Sequence, residues 1–241
     1  MPSERHKGSL KLRVMVRLTF HEELANAEQR LLAEGSLVKR QLERVLDSVI
    51  ARDADIASSV IANDDRVDEI YIDTETRILH LLALQAPVAT DLRLVSAILH
   101  SNIHLERMGD LCVNIAKSVR GGLVYPTDSP MVTRIEEMGG AAAEMLEVVL
   151  SAFSGRSVEL AEQLPLKDNR LDRLNRGMLG ELKRYVDDER SFEWATNLIL
   201  MARYLERFGD HCVDIAEQTS FLVTGVYREF TDASHPEADP V

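Results

Sequence analysis

Apolar residues fall at three- and four-residue spacing over long stretches of this chain, the mark of helices that each bury one face. From Phe20 to Ala51 they are Leu24, Ala27, Leu31, Gly35, Val38, Leu42, Val45 and Val49. A second stretch, about Asp53 to Gln85, carries Ile56, Val60, Val67, Ile70, Tyr71, Thr74, Ile78 and Leu81. It stops before Pro87, which cannot continue a helix. A third helix is predicted from about Val88 to Val119, ended by Gly121-Gly122. The linker 121–130, punctuated by Gly and Pro, follows.

The scheme then repeats. Helices are predicted from about Pro130 to Phe153, from Ser157 to Val186 with a kink at Pro165, and from Ser191 to Val223. No segment alternates with the period of a strand over a useful length. The expected fold is all-α: two tandem three-helix bundles, residues 15–122 and 123–227. Residues 1–14 are polar and basic (Arg5, Lys7, Lys11, Arg13) without periodicity, and read as a flexible extension. Residues 228–241, with Asp232, Ser234, Pro236, Glu237, Asp239 and Pro240, read as a disordered tail.

The two halves also share a motif. Leu105-Glu106-Arg107-Met108-Gly109-Asp110-Leu111-Cys112-Val113-Asn114-Ile115-Ala116 returns one hundred residues later as Leu205-Glu206-Arg207-Phe208-Gly209-Asp210-His211-Cys212-Val213-Asp214-Ile215-Ala216. Agreement over a dozen positions makes the unit a duplication. On the third helix Leu94, Ile98, Leu105, Met108, Cys112, Ile115 and Val119 share the core face. Glu106, Asp110 and Asn114 stack four apart in a stripe away from it. The sixth helix repeats this, with Leu198, Leu205, Phe208, Cys212 and Ile215 inside and Glu206, Asp210 and Asp214 in the stripe. The middle helices add a second acid pair each, Asp64 with Asp68 and Asp168 with Asp172.

Like charges at i,i+4 cost a helix about 0.2–0.5 kcal/mol per pair. Two readings follow. The stripes are solvated faces, braced by Arg107 and Arg207 three residues before Asp110 and Asp210; or they hold a cation. Carboxylate-only ligation suits hard ions such as Mg²⁺, Mn²⁺ or Ca²⁺, with iron possible. Di-iron bundles use Glu-x-x-His, and no Glu here has a His three residues on, which weighs against a metal store or oxidoreductase. No nucleotide-binding Gly-x-x-x-x-Gly-Lys-Ser/Thr loop and no Gly-x-Ser-x-Gly elbow is present, so catalysis is not expected. His100 and His104 read as polar surface, and His211 beside Asp210 as weak evidence for a cation.

Composition narrows the partners. The 241 residues are 45% hydrophobic, enough for one large or two small cores. A net charge of -12 disfavours nucleic acid and favours cations or basic protein surfaces. Only 5% of residues are aromatic, with 12 Gly and 7 Pro, a mix that favours helix. No apolar run approaches the ~18–20 residues of a membrane span. The N-terminus lacks a secretory pattern. The cytoplasm is the expected compartment, with membranes reached only through partners. Cys112 and Cys212 occupy matching apolar positions and read as core residues, as does Trp194.

The Leu-Glu-Arg-x-Gly-Asp repeats, the Asp-x-x-x-Asp segments before them and the run Pro87-Val88-Ala89-Thr90-Asp91-Leu92-Arg93 resemble the PhoU family of bacterial phosphate-transport regulators. The opening Val16-Arg17-Leu18-Thr19-Phe20-His21-Glu22-Glu23-Leu24 is similar to that family's start, and the resemblance spans about Met15 to Val223. It implies two similar bundles with metal ions (Mg, Mn, Fe or Zn) on their acidic pairs. One site would use Asp64, Asp68, Glu106 and Asp110, with Asn114 nearby; the other Asp168, Asp172, Glu206 and Asp210, with Asp214. It further implies a homodimer that acts by contact. The implied partners are the ATPase subunit of the Pst phosphate transporter and a phosphate-sensing histidine kinase. The run from Pro87 to Arg93 has no counterpart in the second half, where Arg190-Ser191-Phe192-Glu193-Trp194 stands instead.

Overall fold

The computed structural model describes the backbone of residues 4–120 and 129–230, with side chains from Arg17 onward except Leu18. It contains α1 (Glu4–Ala51), α2 (Ala54–Asn63), α3 (Asp65–Leu84), α4 (Ala89–Arg120), α5 (Pro130–Gly155), α6 (Val158–Ala161), α7 (Leu164–Leu182) and α8 (Glu189–Thr224). All elements among the described residues are helices. The first half is α1, α2–α3 and α4; the second is α5, α6–α7 and α8. The linker 121–128, its Gly121-Gly122 stop and residues 231–241 lie outside the described residues.

Local chemistry sets the boundaries. The Asp53 carboxylate accepts the Asp55 and Ile56 N–H groups at the start of α2, and Ser129 accepts the Met131 N–H at the start of α5, ahead of Pro130. These side chains satisfy donors that a helix leaves open at its first turn. Asp188 does the same for Ser191 at α8, which ends in the left-handed Gly225 at φ 74°.

Four expectations are corrected. Helix α1 begins at Glu4, so residues 4–14 are helical where a flexible extension was expected; extending a formed helix is far easier than nucleating one, and this segment contains no proline after Pro2. The second helix is two, α2 and α3, broken at Asp64. The fifth is likewise broken between α6 and α7. Pro165 there opens the first turn of α7, where its missing N–H costs nothing, instead of kinking a continuous helix. Finally, the chain does not leave the fold at residue 228. Phe230 is buried, its N–H donates to Glu217 Oε1 at 2.7 Å, and Arg228 pairs with Glu162.

The apolar faces read from the sequence are buried except at half-buried Ile56, Ile70, Tyr71 and Leu94, and the buried residues include Cys112 and Cys212 as free thiols and Trp194 at 1% exposure. They form a single core shared by both halves. Helices α4 and α8 pack together at its centre, and α1 packs on α5. Where α1 crosses α5, Gly35 faces Leu150 and Gly139 faces Leu46. Each pair is the other with the halves exchanged. An approximate two-fold therefore relates the halves, and glycine lets their helices meet at both crossings.

Candidate functional site

The first acid cluster is assembled from three helices. Asp64 stands at the α2–α3 break and Asp68 one turn into α3, while Glu106 and Asp110 lie one turn apart on α4. Gly109 permits the approach: a Cβ there would lie 3.4 Å from Asp64 Oδ1 and 3.2 Å from Gln41 Oε1. Gln41 of α1 donates its Nε2–H to Asp64 Oδ1 at 2.8 Å.

These acids feel one another. Burial raises the Asp64 carboxyl, the Gln41 hydrogen bond opposes that, and Asp68 and Asp110 raise it further. Asp68 is raised by burial and by Asp110, and Glu106 by burial, Asp110 and Asp68. Glu34 on α1 lies behind them. It is fully buried, and neither carboxyl oxygen has a hydrogen-bond partner among the described residues. Burial first, then the Glu106 charge, push it from 4.5 up to about 9, so it is neutral at pH 7.

The second cluster sets Asp168 and Asp172 of α7 beside Glu206 and Asp210 of α8. A Cβ on Gly209 would lie 2.7 Å from Asp168 Oδ1. Its expected place on the surface is corrected: Asp168, Asp172 and Glu206 are 1%, 4% and 6% exposed. Close packing over Gly209 carries the acids into the seam between the helices. Exposed arginines reach them from the surface. Arg203 pairs with Glu206, and Arg176 with Asp172 at 3.3 Å. Burial and Asp210 nevertheless lift Glu206 to about 7, against the pull of Arg203. Asp210 is raised by burial and lowered by Arg203. The residue matching Arg203 in the first half is Ile103, so the two clusters share their acids but not their cations.

Asp214 has other partners. Its Oδ2 lies 3.2 Å from His104 Nδ1 and 3.3 Å from His211 Nδ1, and the two Nδ1 atoms are 3.2 Å apart. His104, expected on the surface, is turned into the α4–α8 seam, where burial lowers it to about 4. Among the described residues this is the one trio of His, Cys, Asp or Glu whose ligand atoms all lie within 4.8 Å of one another. No three of the ladder carboxylates come that close to one another.

Does the donor set fit a cation? At the first cluster it does: Asp64, Asp68 and Glu106 are half-buried and each is raised in part by the Asp110 charge, and a hard oxygen-seeking ion relieves that repulsion. At the second, Glu206 Oε2 has no hydrogen-bond partner among the described residues, yet Arg203 and Arg176 already supply positive charge. The acids fit a cation at both places, and with less residual charge at the second.

Sequence reading missed Glu34, Gln41, Arg203 and the His104–His211 pair. For the first three a signal existed, since Arg203 stands three residues before Glu206 on one helix. Leu24, Ala27, Leu31, Glu34, Val38, Gln41, Val45 and Ser48 alternate in steps of three and four, so both polar residues sit on the apolar stripe of α1.

A three-helix unit used twice about an approximate two-fold, with an acid cluster between the second and third helices of each copy, defines a duplicated, acid-lined helical scaffold. The PhoU domain model matches residues 31–119 and again residues 135–219. The chain belongs to the PhoU family. It is 33% identical over 211 residues to a phosphate-specific transport system accessory protein PhoU homolog of Caulobacter vibrioides, covering 86% of this chain and 90% of that one. The Escherichia coli accessory protein PhoU is 27% identical over 232 residues, covering 96% and 95%. The crystal structure of PhoU from Pseudomonas aeruginosa superposes with a TM-score of 0.79 at 31% identity, over 86% of this chain and all (100%) of that one. A phosphate transport system regulatory protein PhoU from Streptococcus pneumoniae gives 0.80 at 29% identity, over 88% and 100%.

Proposed function

We propose that this chain is a regulatory accessory protein of a phosphate transport system, one that restrains uptake and starvation signalling by contact. The observation that carries this reading is the match of both halves to the family domain, with relatives of that role aligned along nearly their whole length. The proposed partners are the transporter's ATPase subunit and a phosphate-sensing histidine kinase, with a homodimer as the working unit and the cytoplasm as its place. No helix among the described residues is long and apolar enough to cross a membrane, which agrees with reaching the membrane through partners.

Cations on the acid clusters are part of the proposal. Asp64, Asp68, Glu106 and Asp110 would hold one group of ions, and Asp168, Asp172, Glu206 and Asp210 a second. When bound, such ions supply positive charge that holds neighbouring helices together; Asp64 also tethers α1 through Gln41. A partner surface is supported by Ile72 and Leu79 on the outer face of α3 and by Leu84, Val88 and Leu92 around the following turn, all exposed apolar side chains.

The test is co-purification from phosphate-replete cells, with deletion of the chain in parallel. Recovery of the ATPase subunit and the kinase, with starvation genes switched on in the deletion, is the expected result. Recovery of neither, with unchanged phosphate uptake, rejects the reading.

A further inference from the structure

We infer that His104, His211 and Asp214 form a transition-metal site in the seam between α4 and α8, separate from the two acid clusters. The three ligand atoms make a nearly equilateral triangle with edges of 3.2, 3.2 and 3.3 Å. A tetrahedral Zn²⁺ with bonds of about 2.0–2.1 Å holds its ligand atoms about 3.3 Å apart. The triangle therefore has the size of one face of a zinc tetrahedron before any side chain moves. Its donor set, two imidazoles and one carboxylate, is that of open zinc sites that keep a fourth position for water or another ligand.

The surroundings agree. The side chains of His104 and His211 are 17% and 10% exposed, whereas Asp214 is 43% exposed and leaves the fourth position facing solvent. The rings are tilted by 47° with centroids 5.2 Å apart, so they converge on the Nδ1 atoms without stacking face to face. Hydrogen bonding alone accounts for this cluster less well. Three mutual contacts exist, and a proton on either Nδ1 can bridge only some of them. A cation at the centre meets all three atoms at once.

The site occurs once. The repeat places Tyr204 and Leu111 where the first copy has His104 and the second has His211, and neither is a ligand of this kind. Nor does it duplicate the ladder chemistry. Imidazole nitrogen selects borderline ions such as Zn²⁺, Co²⁺ or Ni²⁺, whereas carboxylates alone suit Mg²⁺ and Mn²⁺. His104 belongs to the first half, and His211 and Asp214 to the second, so the ion would clasp the two halves across the α4–α8 seam. Arg107, His100, Asp210, Cys212, Glu217 and Tyr227 are charged or titratable groups coupled to the cluster.

The experiment is titration of chelator-stripped full-length protein with Zn²⁺ and with Co²⁺, in excess Mg²⁺ to occupy the ladders. One Zn²⁺ per chain is expected, and Co²⁺ should give the intense visible bands of tetrahedral coordination. His104→Gln and Asp214→Asn should each weaken Zn²⁺ binding at least about 10-fold and abolish the bands, while Asp110→Asn leaves both unchanged. Asp214→Asn changes a half-exposed side chain, so it gives an answer even if the histidine variant folds poorly. Octahedral Co²⁺ spectra in the unmodified protein, or Zn²⁺ binding that survives Asp214→Asn and falls in Asp110→Asn, overturns the site.

Discussion

Gly139 on α5 lies flush against Leu46 on α1: a Cβ at position 139 would stand 2.4 Å from both Leu46 methyl carbons and 2.9 Å from its Cγ. The next residue, Gly140, has nothing within 4 Å. Helix propensity favours Ala over Gly by about 1 kcal/mol at either position. At Gly139 overpacking of about 1–3 kcal/mol opposes that gain. Gly139→Ala should therefore lower Tm and Gly140→Ala raise it, by denaturation of the two variants side by side. A rise in both would show that α1 and α5 separate easily.

Glu34 should weaken the fold as pH rises. Below 4.5 the folded and unfolded chains both hold its proton. Between 4.5 and about 9 the unfolded chain releases it and the folded chain keeps it, so stability falls across this window. The equivalent place in the second half holds Met138, fully buried. Glu34→Met should stabilise chelated protein by about 1–3 kcal/mol, more at pH 8 than at pH 5, because it removes an unsatisfied buried carboxyl. Urea denaturation at both pH values checks this; equal stability at pH 8 would mean the carboxyl has found a partner.

The acid clusters should differ in affinity for Mn²⁺. Arg203 and Arg176 already bear on the second cluster, and Ile103 offers the first no such charge. Calorimetry should resolve tighter binding at the cluster lost in Asp110→Asn than at the cluster lost in Asp210→Asn. Arg203→Ile should strengthen the weaker site by about 1 kcal/mol, roughly fivefold. The same substitution should raise the Glu206 carboxyl beyond its value of about 7. Identical affinities before and after the change would remove Arg203 from the account.

Phe230 should be a fastening. It is buried, and its N–H and the Tyr227 hydroxyl both donate to Glu217. Phe230→Ala should cost about 2–4 kcal/mol, in the range of large-to-small core changes. Thermal unfolding of this variant and of a chain cut after Val226 should show similar losses; an unchanged Tm in both would return these residues to a loose tail.

What the sequence by itself determined was whatever depends on neighbours along the chain. Leu31, Val38, Leu42 and Val45 mark the buried face of α1, and Leu105, Met108 and Cys112 that of α4, because a helix repeats every 3.6 residues. The duplicated Glu-Arg-x-Gly-Asp segments identified the family, and Glu106 and Asp110 were placed on one stripe by their spacing alone. Element ends were less legible. Asp64 looks like any helical acid, and its break depends on packing around it.

Only the tertiary structure decided which helix faces which, and at what register. That relation sank Asp168 into a seam over Gly209 and set Glu34 behind the first ladder. It also brought His104 to His211 from opposite halves of the chain. Nothing in either helix alone encodes that meeting. It follows from an approximate two-fold whose crossings are fixed by the fit of Gly35 to Leu150 and Gly139 to Leu46, contacts between residues more than ninety positions apart.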